Sequence, residues 1–328
     1  MNYRSTLIYL VIALLLGGLY LWDVHSEKEE KALEEEAKVL FPNLDSEKLE
    51  RIELERGDET IVLRRIAEDA SEASWTITSP VETGADDFSV NRIASLLPHL
   101  EYTRIIEQEA NDPASFGLEN PAFTLDWKAQ EGEGALSVGE ESPIDKDFYA
   151  MKGKGKRVFL LAASDKAVLD RSLYDLRSKQ LFTLPSDRVT RFELERPSGS
   201  WTFVKSGETT WALEGDPGFP LDSERIGSAV RRLTWAEAAS FEREQADALE
   251  PYGLERPSFR IVLSDGDTTE ELLVGDRAGE GEEAGRYARL SSRPRIVTVE
   301  AGLVEELPAS LEEIRREAQE NETVQTGE

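Results

Sequence analysis

Arg51-Ile52-Glu53-Leu54-Glu55-Arg56 and Arg191-Phe192-Glu193-Leu194-Glu195-Arg196 are one strand written twice. In each, apolar and charged residues alternate, the period of a β-strand with one face in a core. Outward from these strands the match holds in order and in register. Leu40-Phe41 precedes the first copy and Leu181-Phe182 the second. Downstream, Ser74-Trp75-Thr76-Ile77 answers Thr210-Trp211-Ala212-Leu213, and Phe116-Gly117-Leu118-Glu119-Asn120-Pro121 answers Tyr252-Gly253-Leu254-Glu255-Arg256-Pro257. Val138-Gly139-Glu140 then pairs with Val274-Gly275-Asp276, and Leu173 to Arg177 with Leu311 to Arg315. A period this long exceeds the roughly 20 to 50 residues of solenoid repeats, so the copies are domain-sized.

Within the first copy, Leu49, Ile52 and Leu54, then Ile61 and Leu63 around the turn Gly57-Asp58, then Trp75 and Ile77, spell an antiparallel meander. The second copy keeps the positions with Val189, Phe192 and Leu194, then Trp201 and Phe203, then Trp211 and Leu213. Keeping position while changing side chain is how a packed core behaves. A helix follows, capped by Asp86 or Asp87, with Val90, Ile93, Ala94 and Leu97 on one face; its counterpart has Asp222 as cap and Ile226, Ala229, Val230 and Leu233. The Phe/Tyr-Gly-Leu-Glu-x-Pro element turns the chain into a strand at Phe123–Trp127 or Phe259–Leu263. Two or three further strands, around Leu136 to Val138, Phe148 to Met151 and Val158 to Leu161, lead to a C-terminal helix expected at Ala163 to Ser178 and at Gly302 to Arg316. The fold class is therefore α+β: two tandem repeats of a mainly antiparallel sheet with packed helices.

Ahead of the repeats, Ser5 to Trp22 carries no charge, and as a helix it would span roughly 27 Å, enough to cross a bilayer core. Arg4 precedes it and Tyr3, Tyr20 and Trp22 sit at interfacial positions, so the short N-tail is expected in the cytoplasm and the repeats outside it. A cleaved signal peptide is the competing reading, with Val24-His25-Ser26 before a cut at Glu27; the bulky Tyr20, Leu21 and Trp22 and the lack of Ala-x-Ala favour an uncleaved transmembrane helix. The expected organisation is then an N-tail and transmembrane helix at 1–22, a charged helical stalk at 23–39, repeat domains at 40–179 and 180–317, and a frayed tail at 318–328.

The ordered set, from the Leu-Phe opening through the Trp-x-Ile/Leu strand, Phe-Gly-Leu-x-x-Pro and the Val-Gly-Glu/Asp turn to Leu173-Tyr174-Asp175-Leu176-Arg177-Ser178-Lys179-Gln180-Leu181-Phe182, resembles domain-of-unknown-function family 4340. This is a bacterial family commonly found behind a single N-terminal membrane helix. The resemblance covers Leu40 to Arg316. It implies an extracytoplasmic accessory subunit, since similar members are often encoded beside gliding-type ABC transporter components, and it brings no catalytic residues with it. The second copy departs locally, with Gly-Asp inserted before Pro217.

Among 328 residues there are 66 acidic and 38 basic ones, a formal net charge of -28, which argues against nucleic acid as a partner. There are no cysteines, so thiolate chemistry and Cys-ligated zinc are excluded. The two histidines are His25 and His99; His99 falls opposite Trp235, so it is not shared by the copies. The acidic clusters Glu131 to Glu141 and Asp276 to Glu283 are Gly-rich and read as hydrated hairpin loops. Asp265-Gly266-Asp267 reads as a hairpin turn, far short of a calcium loop.

Lys152-Gly153-Lys154-Gly155-Lys156-Arg157 is the basic cluster of an acidic chain, and Arg293-Pro294-Arg295 occupies the equivalent turn. It lacks the order of a phosphate loop. Lys152, Lys154, Lys156, Arg157, Arg293 and Arg295 are the candidate partner contacts, for an acidic partner or a lipid headgroup. No catalytic, cofactor-binding or metal-ligating residue is expected. The function expected is that of a non-catalytic, membrane-anchored scaffold in an envelope complex with protein partners. The alternatives are a glycan- or peptide-binding module between the repeats and an envelope hydrolase using buried carboxylates. Removal of Met1 to Ser26 is expected to leave a soluble, folded protein; an aggregated product on gel filtration would count against two self-sufficient repeats.

Overall fold

The computed structural model describes residues 38–66, 74–281 and 284–316. The expected transmembrane helix, nearly all of the stalk and the tail lie outside the described residues. Among the described residues no helix is long and apolar enough to cross a membrane. The chain divides into two units, Met1–Ser178 and Lys179–Glu328.

In the first unit β1 (Leu49–Arg56) turns at Gly57, whose φ of 56° suits a residue without a Cβ, into β2 (Glu59–Ile66). β3 (Ser74–Ser79) and the short β4 (Thr83–Gly84) complete the meander. The helix α1 (Asp87–Leu96) follows, and its two candidate caps divide the work. Asp86 accepts from the Ser89 amide at 2.8 Å as the N-cap, whereas Asp87 accepts from the Trp75 amide at 2.7 Å and ties the helix start to β3. After it come β5 (Tyr102–Glu107), β6 (Phe123–Ala129), β7 (Gly132–Glu141), β8 (Phe148–Lys152) and β9 (Val158–Leu161). The sheet order is β4-β3-β2-β1-β6-β7-β8-β9-β5, antiparallel at every pairing.

The alternating residues of β1 to β3 meet α1 in one core: Ile52, Leu63, Ile77, Val90 and Ile93 are all fully buried. Each such side chain contributes about 1.5–3 kcal/mol of burial.

The second unit repeats this with β10 (Arg191–Arg196), β11 (Gly199–Lys205), β12 (Trp211–Leu213) and the helix α2 (Ser223–Thr234). Its later strands are β13 (Ser240–Arg243), β14 (Phe259–Ser264), β15 (Thr269–Arg277), β16 (Arg286–Leu290) and β17 (Ile296–Val299). The order β12-β11-β10-β14-β15-β16-β17-β13 is the same weave without a counterpart of β4. Asp222 caps α2 through the Glu224 and Arg225 amides, and Ser223 replaces Asp87, its hydroxyl accepting from the Trp211 amide at 3.0 Å.

Three expectations need correction. β5 and β13 are strands additional to those the sequence pattern indicates; each follows a helix and returns to pair with the last strand of its unit. The acidic stretch Glu131 to Glu141 is mostly the strand β7, and Asp276 belongs to β15. The C-terminal helix is broken in both units. In the first, a helix over Ala163–Leu169 stops at Asp170, and a separate turn over Leu173–Leu176 starts with a capping box between Ser172 and Asp175. In the second, Gly302–Glu305 is followed, beyond Pro308, by a 3-10 turn over Glu312–Ile314.

An arginine grips each break. Arg56, the last residue of β1, pairs with the Asp170 carboxylate, which Lys166 also holds at 2.6 Å. Burial alone would raise the Asp170 carboxyl, but the bonds from Lys166 and Arg56 hold it below its ordinary value. Arg196, the last residue of β10, donates instead to the carbonyls of Leu307 and Pro308, both at 2.9 Å. The arginine is kept; its acceptor changes from a side chain to the backbone.

The Phe/Tyr-Gly-Leu turns are superimposable in chemistry. Gly117 (φ 69°) and Gly253 (φ 67°) end short 3-10 turns in the left-handed region. Opposite them, a Cβ on Gly139 would lie 2.2 Å from the Phe116 carbonyl oxygen, and one on Gly275 2.1 Å from that of Tyr252. Backbone cannot yield as a flexible side chain would. Gly139→Ala and Gly275→Ala are each expected to cost about 1–3 kcal/mol, read as a lowered urea midpoint; unchanged midpoints would show that the turns are free to shift.

Candidate functional site

The hairpin joining β8 to β9 carries the basic cluster. Its turn forms because Gly153 adopts φ 55°, its amide donating to the Ala135 carbonyl at 2.8 Å, and the Gly155 amide donates to the Lys152 carbonyl at 3.1 Å. The four cations have different surroundings. Lys152 Nζ donates to the Leu40 carbonyl and lies 5.0 Å from the centre of the Phe41 ring, a cation-π placement. Arg157 Nε donates to Gln108 Oε1 at 3.0 Å. The side chains of Lys154 and Lys156 are exposed and make no hydrogen bond or ion pair among the described residues, while the Lys156 carbonyl accepts from the Ala110 amide at 2.9 Å.

Together these side chains line a cleft of about 530 Å³ with Val39, Leu40, Tyr102, Gln108, Glu109, Gly155 and Phe159. Its other wall is the segment that leads into the first unit. That segment is fixed by the Leu40 amide donating to the Leu100 carbonyl at 2.7 Å and by the Tyr102 amide donating to the Lys38 carbonyl at 3.2 Å. Glu109 is the acidic residue of the lining.

In the second unit the hairpin between β16 and β17 has the same length, but Leu290, 3 % exposed, stands where Lys152 does. Arg293 takes over the bond to the lead-in segment, donating to the Gln180 carbonyl at 3.1 Å. Its half-burial lowers the guanidinium pKa, partly offset by the Glu270 carboxylate. Arg295 lies 5.6 Å over the Phe241 ring. The six candidate residues thus fall into two hairpins, one in each unit. In each hairpin one cation fastens the chain's own lead-in segment, while exposed lysines remain in the first alone.

On the other side of Lys152 a cleft of about 240 Å³ opens over Phe41, Trp127, Leu44 and Ala129. Phe41 meets Trp127 edge-on at 5.4 Å. Trp127 lies across Gly134, its register partner, where a Cβ would come within 2.7 Å of the indole nitrogen. On the rim Lys48 bonds Glu131 at 3.0 Å, and that bond raises the Lys48 pKa. The second unit fills the same register with Leu263 opposite Glu270. The Glu270 carboxylate, 8 % exposed, accepts from the amides of Thr183 and Leu184 and from the Thr183 hydroxyl at 2.8–3.1 Å. In the sequence Glu270 reads, after Asp265-Gly266-Asp267, Thr268 and Thr269, as an acid of a stretch far short of a calcium loop; its bonds to Thr183 and Leu184, far away in the chain, leave no local signal.

The remaining candidates sit apart. His99 is exposed, and Trp235, its counterpart, is 80 % exposed at the end of α2. His25 lies outside the described residues. Among the described carboxylates, Asp126 and Asp165 are held above their ordinary range. For Asp126 the cause is burial first, then the Glu55 and Glu53 charges beside it on the sheet. Asp265 accepts from the amides of Asp267 and Thr268 and pairs with Arg188, a closed turn rather than an open ligand set. Among the described residues no group of acidic or histidine side chains is arranged to hold a metal ion.

A family model described as Domain of unknown function (DUF4340) matches residues 75–218 and 211–321. The two matches begin at Trp75 and Trp211, the paired tryptophans, and the first runs on through the opening strands of the second unit. Neither the curated proteins nor the solved structures give a match.

If Lys152 is a clasp and Lys154 a free cation, Lys152→Met should lower the stability of the chain by about 1 kcal/mol, the net worth of a hydrogen bond in a solvent-screened setting. Lys154→Met should change it by less than about 0.5 kcal/mol. Urea unfolding of the two variants side by side checks this, and equal effects would remove the distinction.

Proposed function

The chain belongs to the DUF4340 family and carries its domain twice, and on that footing we propose that it is a non-catalytic, membrane-anchored accessory or scaffold subunit of an envelope complex. In this reading the segment Ser5 to Trp22 holds the chain in the membrane and both units stand on the extracytoplasmic side. Its partners are the protein subunits of that complex, an ABC-type transporter among them.

The observation that carries the reading is what the two copies have in common. At matched positions stand helix caps (Asp86 and Asp222), left-handed turn glycines (Gly117 and Gly253), close-approach glycines (Gly139 and Gly275) and the arginines at the ends of β1 and β10. All of these shape backbone. A fold duplicated for its shape, with its surface free to differ, suits a protein that works by presenting surfaces to partners.

In-cell crosslinking followed by affinity purification of the full-length chain, beside one lacking Met1 to Trp22, tests the proposal. Transporter subunits are expected with the full chain and not with the truncated one. A full-length chain recovered without partners would overturn it.

A further inference from the structure

We propose that the cleft between the β8–β9 hairpin and the lead-in segment binds the phosphate-bearing headgroups of anionic phospholipid in the membrane that anchors the chain. The inference rests on the anchored reading above. Its first ground is charge. Elsewhere among the described residues many cations have an acidic neighbour, as in Lys48 with Glu131, Arg104 with Asp145 and Arg191 with Glu214. In the cleft the balance reverses: Lys152, Lys154, Lys156 and Arg157 line one concave surface, with Glu109 as the acid of the lining. Lys152 and Arg157 each spend a bond on the protein's own oxygens, which fixes the walls, and the Lys154 and Lys156 side chains spend none. The Gln108 amide and the Tyr102 side chain also line the cleft, and both residue types donate hydrogen bonds to phosphate oxygens.

The second ground is position. Val39 and Leu40 line it, and they lie close in the chain to the segment that ends at Trp22. Fewer than twenty residues separate the two, a reach of at most about 60 Å. A tether of this length holds the cleft at about millimolar effective concentration to the bilayer, so weak exposed charge contacts suffice. The acidic remainder of the surface is repelled by the same lipids, which turns the hairpin toward them. The second unit lacks the free lysines and the adjoining tether, and its hairpin is expected to take no part.

The full-length chain is reconstituted in nanodiscs of phosphatidylcholine alone and of phosphatidylcholine with about one-third phosphatidylglycerol. Amine acetylation is then read by mass spectrometry at Lys154 and Lys156, with exposed Lys128 and Lys146 as references. Labelling of Lys154 and Lys156 is expected to fall about fivefold in the anionic discs, the scale of one basic residue at an anionic surface, and Lys154→Glu should unload Lys156 as well. Equal labelling in the two kinds of disc overturns the proposal. So does equal protection in phosphatidylcholine discs by free glycerol phosphate, which would make the ligand soluble, or by polyglutamate, which would make it an acidic chain. Failure of the anchored reading has a separate signature, elution of the chain apart from the discs. The same labelling is then made with vesicles of the two compositions, where protection by the anionic ones supports the cleft and its absence sinks it.

Discussion

Each unit depends on one insertion: its first strand lies between the second and the strand that follows the Phe/Tyr-Gly-Leu turn. Leu54 faces Ile61 on one side and Leu125 on the other, and Leu194 faces Trp201 and Ile261 in the same way. Without β1 the first sheet would separate into β4-β3-β2 and β6-β7-β8-β9-β5, each with an unpaired edge. The strand also carries the arginine that holds the broken C-terminal segment. One short stretch of alternating sequence thus joins the two parts of the sheet and fastens the segment that ends the unit.

The two copies divide cleanly into what that arrangement requires and what it leaves free. Caps, turn glycines and core positions recur because each answers a backbone demand that is the same in both. Acceptors and linings do not recur. Asp170 gives way to the Leu307 and Pro308 carbonyls, Lys152 hands its bond to Arg293, and the pair Trp127 and Gly134 becomes Leu263 and Glu270. The same backbone space is closed by an aromatic ring lying over a glycine in one unit and by a carboxylate bonded to amides in the other. These are two solutions to filling one position, and they leave different surfaces outside it.

The sequence made the meander, the helix caps and the turn glycines legible because each rests on a local rule: period two, a short oxygen-bearing side chain before a helix, a residue without a Cβ. It hid β5 because register shifts between Tyr102 and Arg104, and again between Ile105 and Glu107, break the alternation that marks a strand. An edge strand with partly exposed residues has little apolar signal to give. The helix break at Asp170 was hidden for another reason, since Arg56 lies far away in the chain and the local composition still favours helix. At the candidate site the cluster Lys152 to Arg157 was plain, but the difference between a clasp and a free cation was not. That difference depends on where the Leu40 carbonyl and the Gln108 side chain lie, which no local pattern encodes.

The insertion of the first strand has a consequence for how the chain must be made. β1 can form a hairpin with β2 as soon as both exist, but its other edge stays open until the chain reaches β6, and the same wait recurs for β10 and β14. Late, distant pairings of this kind slow folding and expose edges meanwhile. In a duplicated chain each open edge has a second suitor, the matching strand of the sister copy. The core substitutions that keep position but alter shape, Ile52 against Phe192 or Trp127 against Leu263, make the foreign pairing fit less well than the native one. Divergence between the copies therefore does work of its own, keeping each half of a repeated message from being completed by the wrong ending.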